Sequence, residues 1–564
     1  MSDESFTTAD VGAHNNDEKG YWLIVENNVY DITKFLDEHP GGSKILKRFA
    51  GKNATKAFWK YHNESVLEKY GGKYKIGSRH LPQPSVRENK TLPPPALVRA
   101  ASAALPKSSD PDFLSGRPAA DVARHITEHI VPALCGQSQS SRYFGFVTGG
   151  VLPLAEWADN VVSHMDQNVQ VHLPEQSVST DVEDAALQML MGLLRLESEW
   201  KGRTFTTGAT ASNVLGLACG REAVLEKRGA SVGELGLLAA CAKAGVSDIQ
   251  ILTSGGHSSL SKAASVVGLG RASVKELPRS ASRPWKLDLD AVERELRRPG
   301  TASIIAVSMG EVNTGGYALD GIDEWRRLRQ LADEHAAWIH ADGAFGIFSS
   351  VLEERDEYRL LHDRVKGVDL ADSITVDGHK MLNVPYDCGM FFTRASSTLE
   401  SVFVNPNAAY LSSGLTAGIS SPLNVGLENS RRFRALPAYA VLLSEGRPGF
   451  ASLFHSMAQL SRRLAVFLRE SPHYELLPDE DGDVEEIFII VLFRAKDEKL
   501  NDDLVARINA TRQLYVSGTS WKGGKAVRVA VSNWRVDVER DFKVVTAILN
   551  DVAQGREFDM EKCL

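Results

Sequence analysis

The sequence predicts an α/β fold, a mostly parallel sheet with helices on both faces. In the body of the chain, strand-like apolar runs alternate with helical stretches, and this alternation is typical of parallel sheets, whose crossover helices cover both faces. The strand-like runs are 249–253, 303–308 and 338–341, and the helical stretches are 288–296 and 322–337. Further strand-like runs at 486–493 and 526–532 predict a smaller α+β domain near the carboxyl end.

Four segments divide the predicted chain. Residues 4–78 form a small α+β domain, and residues 79–112 form a linker whose many prolines favour a stiff, extended spacer. The large domain covers 113–435 and begins with a helical segment, and the small carboxyl-terminal domain covers 436–555. The 564 residues are enough for a small domain together with a large enzyme domain.

Composition excludes several classes of partner. The net charge of −8 and the pI near 6.1 argue against a nucleic-acid-binding surface. No run of eighteen apolar residues occurs, and the acidic start lacks an apolar stretch, so we expect neither a membrane span nor a secretory signal. The five cysteines are scattered and odd in number, which predicts reduced thiols in a cytoplasmic protein.

A His-Lys pair, His379-Lys380, follows the strand-like run 373–376 and lies in the tetrapeptide that begins at Asp377. Such a pair after a strand suits a pyridoxal-phosphate enzyme, because the lysine can form a Schiff base and the histidine can help hold the phosphate or ring. An isolated pair would more often be an ordinary surface loop. The assignment therefore depends on partners elsewhere in the chain.

A carboxylate for the pyridine nitrogen is available at Asp342, which ends a buried strand-like run. Pyridoxal chemistry needs this group because it keeps the nitrogen protonated, so that the ring can accept electrons from the substrate α-carbon. Ala344 is small enough to lie near the ring face. A lone aspartate at a strand end would more often cap a helix or a turn.

Two further segments suit the same cofactor. His257 follows the run 248–253, at the carboxyl end of a strand, where ligands bind in open α/β sheets, and it could stack on the ring or bind the substrate carboxylate. The loop 206–213 is rich in Gly, Thr and Ser and opens the apolar helix 214–218, so its N–H groups and hydroxyls could bind a phosphate. Alone, this loop would be an ordinary helix cap.

Together these residues resemble the group II pyridoxal-phosphate decarboxylases, which act on aromatic amino acids, glutamate, histidine and tyrosine. The order of the phosphate loop, His257, Asp342 and His379-Lys380 matches that family, as do the runs 428–436 and 515–521. The resemblance covers roughly residues 115–550. It implies a fold-type I pyridoxal enzyme and a homodimer with the active site at the subunit interface.

The resemblance also implies roles for single residues. Lys380 would be the Schiff-base lysine, Asp342 the partner of the pyridine nitrogen and His257 the stacking residue. The cofactor-binding set would also include Thr210, Ala211, Ala344 and His379. Phe146 and Thr148 match a segment that lines the substrate pocket of the family.

The chain departs from the family at two places. Many members carry a tyrosine on a mobile loop that protonates the α-carbon after CO₂ leaves, but the matching loop between Leu411 and Arg431 holds no tyrosine. Within the family, this loss can divert the carbanion to oxygen and give an aldehyde instead of an amine. Asp377 stands where aromatic-amino-acid decarboxylases often have asparagine, and a carboxylate near the phosphate is unfavourable unless it bonds a donor. We therefore leave Asp377 out of the ligand set.

The amino-terminal region predicts a second cofactor. After two short strands around a turn at 26–28 come the His39-Pro-Gly-Gly turn, a helix-like run at 43–49 and His62. Glycines let the backbone approach a flat ligand, and two histidines can ligate a haem iron from both sides. The pattern closely resembles the cytochrome b5-like haem-binding domain, although two unrelated histidines would be the simpler reading. The resemblance implies bis-histidine haem b that carries single electrons, with an electron-donating reductase as a possible partner.

We therefore expect pyridoxal-phosphate-dependent decarboxylation of an L-amino acid. Phe144 and Phe146 keep the pocket apolar, which favours an aromatic or apolar substrate, while Gly145 changes its shape. The alternatives are oxidative decarboxylation to an aldehyde, another carbanion reaction such as C–C lysis or condensation, and a haem electron-transfer protein with an inactive pyridoxal scaffold. The intact Lys380 and Asp342 disfavour the inactive scaffold.

Overall fold

The computed structural model describes residues 4–6, 8–25, 28–62, 66–79, 91–405, 418–479 and 482–563. The chain divides into two compact units. The first unit comprises Met1–Glu88 and Ala104–Pro132, and the second comprises Asn89–Ala103 and Ala133–Leu564.

The first unit contains a five-stranded sheet with the strand order β1-β5-β4-β3-β2. Its strands are β1 (Glu4–Phe6), β2 (Asn15–Asn16), β3 (Gly20–Val25), β4 (Asn28–Asp31) and β5 (Lys75–Arg79). Its α-helices are Thr8–Ala13, Ser43–Phe49, Thr55–Tyr61, Gly72–Tyr74 and Ala119–His125. Strands β3 and β4 pair antiparallel, as predicted, and residues 26 and 27 of the expected turn lie outside the described residues.

The second unit is built on a seven-stranded sheet with the order β6-β12-β11-β10-β9-β7-β8. The strands are β6 (Gly202–Thr206), β7 (Asp248–Thr253), β8 (Val274–Glu276), β9 (Thr301–Ser308), β10 (Trp338–Asp342), β11 (Ser373–Asp377) and β12 (Gly389–Thr393). All adjacent pairs from β11 to β8 are parallel, whereas β12 runs antiparallel to both neighbours. The mostly parallel sheet is therefore confirmed.

Helices cover this sheet, and its central strands are buried on both faces, which explains their continuous apolar sequence. The α-helices up to the end of the sheet are Pro153–Met165, Ser179–Leu193, Ala209–Glu226, Val232–Leu235, Leu237–Ala244, Ser258–Val266, Leu289–Leu296, Ile322–Glu334, Arg359–Val365, Gly378–Met381 and Ser396–Phe403. The long helix Ala435–Glu470 follows and is kinked at Gly446, whose φ of 55° suits glycine, two residues before Pro448.

The carboxyl-terminal part forms an antiparallel sheet with the order β13-β14-β16-β15. Its strands are β13 (Tyr474–Leu477), β14 (Ile490–Ala495), β15 (Ser517–Trp521) and β16 (Gly524–Ala530), and its helices are Glu498–Ala510, Val538–Ala553 and Met560–Cys563. Strand β14 begins four residues later than predicted, and a 3₁₀ turn at Val484–Glu486, capped by Asp483, precedes it. None of the helices in the described ranges combines the length and apolar character that crossing a membrane requires.

Part of the predicted linker is helical. The prediction of an extended spacer was wrong over Pro95–Ala104, which form an α-helix. Proline is compatible with the first position of a helix, because the amide there has no intrahelical acceptor to lose. Residues 80–90 of the linker lie outside the described part of the chain.

Candidate active site

Lys380 lies in the short helix Gly378–Met381, which begins where β11 ends. Its Nζ is 2.8 Å from Asp377 Oδ2, and Asp377 is almost fully buried. Asp377 Oδ1 also accepts a hydrogen bond of 2.6 Å from the N–H of Ala209, the first residue of the helix Ala209–Glu226. Asp377 therefore bonds two donors within the site, which meets the condition under which a carboxylate is tolerated there.

His379 faces the loop that precedes the helix Ala209–Glu226. Its Nδ1 accepts a hydrogen bond of 3.2 Å from the Cys388 N–H, and its Nε2 lies 3.6 Å from Asp377 Oδ1. Burial lowers the pKa of His379, although the Asp377 charge raises it, so the ring is neutral at pH 7 and carries its proton on Nε2. A Cβ at Gly208, where φ is 150°, would lie 3.0 Å from the His379 ring, so glycine is required at this close approach.

Thr210 and Ala211 occupy the first turn of the helix Ala209–Glu226. Amides in a first helical turn have no intrahelical acceptor, and the helix dipole favours an anion there. The two residues lie one and two positions after Ala209, whose amide binds Asp377. The structure thus places this helix terminus beside the turn that carries Lys380.

Asp342 ends β10 and is held by Asn213 of the helix Ala209–Glu226. Asn213 Nδ2 donates to Asp342 Oδ2 at 3.0 Å, and Asn213 Oδ1 accepts from Thr375 Oγ1 at 2.8 Å and lies 2.9 Å from His340 Nε2. Burial lowers the pKa of His340 to about 4, although the Asp342 charge raises it. Ala344 is buried two residues beyond Asp342, and its N–H donates to Asp342 Oδ1 at 3.3 Å.

His257 joins this network through Ser259. It caps the helix Ser258–Val266, with Nδ1 accepting from the Ser259 N–H at 3.2 Å and lying 2.7 Å from Ser259 Oγ. Ser259 Oγ in turn accepts from Asn213 Nδ2 at 3.1 Å. Part of the His257 side chain is exposed. Burial of the rest lowers the pKa of His257. The charge of Asp342 raises this pKa, and the charge of Lys380 lowers it.

The predicted substrate segment packs closely on the lysine turn. A Cβ at Gly149 would lie 2.1 Å from the Lys380 carbonyl oxygen, and Thr148 is buried just before it. Phe146 has a φ of 59° and a ring that is 57% exposed, so its side chain turns outward from this segment. A Cβ at Gly145 would lie 2.0 Å from the ring of Tyr515, which therefore fills the space beside Gly145.

The first unit encloses a cavity of about 610 Å³ that is lined mostly by apolar side chains and by both His39 and His62. The two imidazole ring centres are 6.1 Å apart. Two imidazoles that bind one metal ion at about 2.0 Å have centres about 6 Å apart. His62 Nδ1 is 3.0 Å from the Phe58 carbonyl oxygen and His39 Nδ1 is 3.4 Å from that of Gly42, so both Nε2 atoms are left for a ligand.

Residues 118–496 match the family model described as the pyridoxal-dependent decarboxylase conserved domain. The chain belongs to the pyridoxal-dependent decarboxylase family. Residues 7–80 match the model of the cytochrome b5-like heme/steroid binding domain. Both predicted families are therefore confirmed, in the predicted order along the chain, and with them the expectation of pyridoxal phosphate and haem as cofactors.

Different curated relatives match the two parts of the chain. It is 26% identical to an L-2,4-diaminobutyrate decarboxylase of Acinetobacter baumannii, over 54% of this chain and 58% of the relative. The chain thus spans about three fifths of the length of that relative. A Neurospora crassa sequence described as a cytochrome b5 is 60% identical over 13% of this chain and 89% of its own length.

Solved structures support the fold of the decarboxylase body. A structure of Oryza sativa TDC with PLP and tryptamine has a TM-score of 0.69 and 19% identity, and the match covers 88% of this chain and 96% of that chain. At this identity the likeness concerns the fold alone.

Four residues at the candidate site have no assigned role in the sequence analysis. The sequence argues against Asp377 as a ligand, and it gives Asn213, at the end of the loop 206–213, no separate role. Asn383 is buried with a φ of 53° and bonds the turn after Lys380. Arg528 is a buried cation in β16, and its charge lowers the pKa of His257. A charged residue within an apolar strand was the available signal for Arg528.

Proposed function

We propose that this protein removes the α-carboxylate of an L-amino acid as CO₂, with pyridoxal phosphate held at Lys380. The observation that carries the proposal is the hydrogen-bonded chain from Asp342 through Asn213 and Ser259 to His257, beside the turn of Lys380. The donor set fits the cofactor, since it offers an amine, a carboxylate, an imidazole and free amides at a helix terminus. When bound, pyridoxal phosphate supplies an electron sink for the α-carbon.

Each side chain has a task that its contacts support. Asp342, fixed by Asn213, would hold a proton at the pyridine nitrogen, and His257, fixed by Ser259, would lie against the ring. Thr210 and Ala211 would bind the phosphate through first-turn amides, with His379 nearby. Fixed partners of this kind hold charge in place without reorganisation during the reaction.

Two features bear on the substrate. Arg528 is a buried cation whose terminal nitrogens donate to the Val312 carbonyl at 3.2 Å and to Ser517 Oγ at 3.3 Å, and we propose that its fixed positive charge favours the carboxylate of the substrate. Phe146 and Thr148 stay our proposed wall of the pocket, next to the ring of Tyr515. This aromatic wall favours an aromatic or apolar side chain, which we propose as the substrate class.

A labelled substrate panel tests the proposal. The full-length protein, loaded with pyridoxal phosphate, is given L-tryptophan, L-tyrosine, L-aspartate and L-2,4-diaminobutyrate, each with ¹³C in the α-carboxylate. We expect ¹³CO₂ from an aromatic member, none with Lys380→Ala, and normal release with Lys366→Ala, which changes an exposed lysine. Turnover by the Lys380→Ala variant would refute the assignment. Conversion without CO₂ would favour C–C lysis or condensation.

Aldehyde formation is a second candidate, because the loop between Leu411 and Arg431 holds no tyrosine. Residues 406–417 of this region lie outside the described residues. A relative named phenylacetaldehyde synthase, from Arabidopsis thaliana, is 22% identical over 49% of this chain. Analysis of the same panel for amine, aldehyde and hydrogen peroxide, in air and under argon, separates the two products.

For the amino-terminal domain we propose a haem b bound by His39 and His62 that carries single electrons. Two imidazole ligands leave no open iron position for oxygen chemistry. A reductase that supplies electrons and a homodimer of the enzyme domain are further proposals. Size-exclusion chromatography with light scattering tests the homodimer. Reduction of the haem by a purified flavin reductase with a nicotinamide cofactor tests the electron-donating partner.

A further inference from the structure

Tyr386 lies six residues after Lys380 and packs on the same turn. Its ring centre is 4.4 Å from that of His379, with the planes at 33°. The side chain is 53% exposed, so one part is held by protein and the other faces open space. The charge of Lys380 acts on the Tyr386 hydroxyl.

The chain just after Tyr386 is anchored. The next residue, Asp387, accepts a hydrogen bond of 3.2 Å from Nε of the buried Arg434. Beyond it, the Cys388 N–H donates to His379 Nδ1, and the His379 N–H donates to the Cys388 carbonyl at 3.0 Å. These bonds fix the chain next to Tyr386, and the His379 ring packs against the tyrosine ring, so the phenol is positioned beside the lysine turn.

The hydroxyl of Tyr386 is protonated at neutral pH. Burial raises the pKa of Tyr386, whereas hydrogen bonding with Thr148 and the charge of Lys380 lower it without cancelling the rise. Thr148 belongs to the proposed substrate wall and is itself fixed, because Ser532 Oγ donates to its carbonyl at 2.9 Å. The Tyr386 hydroxyl thus carries a proton, and its ring packs on His379, the residue before Lys380.

We propose that Tyr386 is the catalytic acid that delivers a proton to the substrate α-carbon after CO₂ leaves. The inference rests on the proposed decarboxylation and assigns its final step. When the bond between Cα and the carboxylate breaks, its electron pair stays at Cα. The Oη–H bond of Tyr386 then breaks as the new Cα–H bond forms, and the remaining phenolate takes a proton from water. The net product is the amine.

This assignment explains how an amine can form in a chain whose loop has no tyrosine. Without a proton from Tyr386, dioxygen can instead take two electrons from the α-carbon. With one molecule of water the products are then an aldehyde, ammonia, CO₂ and hydrogen peroxide. The identity of the product therefore reports on the proton donor, which a merely structural role of Tyr386 would not change.

The test uses the four ¹³C-labelled amino acids on the full-length protein loaded with pyridoxal phosphate. We expect the native protein to give amine in air, with one deuterium at Cα when the reaction runs in D₂O. Tyr386→Phe should lower the ratio of amine to aldehyde at least tenfold in air, with peroxide equal to aldehyde, and should slow amine formation at least tenfold under argon. Tyr474→Phe is the matched control, since its hydroxyl donates to the Leu549 carbonyl within the small domain.

The outcomes separate the inference from the proposed function. An unchanged product ratio and rate in Tyr386→Phe overturns the inference and leaves decarboxylation intact, and so does a native protein that releases CO₂ but gives only aldehyde. A native protein that releases no CO₂ from any of the four overturns both. Cofactor binding by Tyr386→Phe, followed by visible absorbance and by melting temperature, should equal that of the native protein.

A second measurement depends on the phenol itself. Difluorotyrosine placed at position 386 has a more acidic hydroxyl than tyrosine. The basic limb of the pH profile for amine formation should therefore move to lower pH, because the donor must be protonated. If the basic limb of the pH profile does not shift, another group, such as His257 or Lys380, delivers the proton, and the inference is overturned.

Discussion

Asn383 connects the lysine turn to its surroundings. Its Nδ2 donates to the Met381 carbonyl at 3.0 Å, and its Oδ1 accepts from the N–H groups of Gly150 and Trp534, each at 2.9 Å. These three backbone groups all bond to the buried side chain of Asn383. The backbone of Asn383 is in the left-handed region, with φ at 53°. The site therefore relies on a residue that contacts neither cofactor nor substrate in our proposal.

We predict that Asn383→Ala lowers the free energy of unfolding by about 3 kcal/mol, because buried N–H groups lose their acceptor. Asn383→Gly loses the same hydrogen bonds but tolerates positive φ, so it should be about 1 kcal/mol more stable than the alanine variant. Urea denaturation followed by circular dichroism measures both. Equal stability of the two variants would show that the backbone conformation contributes nothing.

His340 predicts a pH dependence of stability. Burial lowers its pKa to about 4 in the folded chain, from 6.5 in an exposed histidine. Stability is full above pH 6.5, and it falls as pH drops toward 4, because only the unfolded chain then binds the proton. The loss over this window is about 3 kcal/mol.

His340→Gln should remove most of this slope, whereas His335→Gln, at a partly exposed helix end, should keep it. Denaturant unfolding at pH 7 and pH 5 measures the difference. Parallel slopes for the native protein and His340→Gln would contradict the prediction.

Local sequence was sufficient to propose single site residues, and their roles remain predictions. Lys380, Asp342 and His257 each follow a strand-like run, and the structure brings the turn of the first near the network of the others. Asn213 and Arg528 were missed because their roles depend on contacts across the fold. A sequence pattern does not show such long-range partners.

At the scale of elements, the segment 143–150 and the lysine turn fit together through glycine. Gly149→Ala would place a Cβ 2.1 Å from the Lys380 carbonyl, a backbone atom that cannot rotate away. We predict at least a tenfold weaker affinity for pyridoxal phosphate, measured by absorbance titration. Gly192→Ala is the control, because its Cβ meets open space in a helix and alanine is favoured there.

Strand-like runs were located well because burial on both faces gives unbroken apolar sequence. Strand β7 has the predicted limits, and β9 and β10 differ by one or two residues. The helix Pro95–Ala104 escapes prediction because the run Pro93-Pro94-Pro95, which ends at its first residue, indicates an extended chain. Only the position of a proline within a helix decides its effect, and composition does not give that position.

At the scale of the whole molecule, two units have separate cores, and each contains one of the two proposed cofactor sites. We predict that His39→Ala and His62→Ala each remove the six-coordinate haem spectrum of the full-length protein and let carbon monoxide bind the reduced iron. Decarboxylation under argon should stay unchanged, because it transfers no net electrons. A matching loss of CO₂ release would show that the two sites depend on each other.

Gly145 and Tyr515 occupy one shared volume, since a Cβ on the glycine would enter the tyrosine ring. Their substitutions should therefore be strongly non-additive. A larger side chain at position 145 fits only if Tyr515 is first replaced by a smaller residue. Replacing Tyr515 alone leaves an empty space beside Gly145. A change of pocket shape through positions 145 and 515 therefore passes through a single variant that is less stable or less active. We expect the residues at these two positions to change together among related proteins.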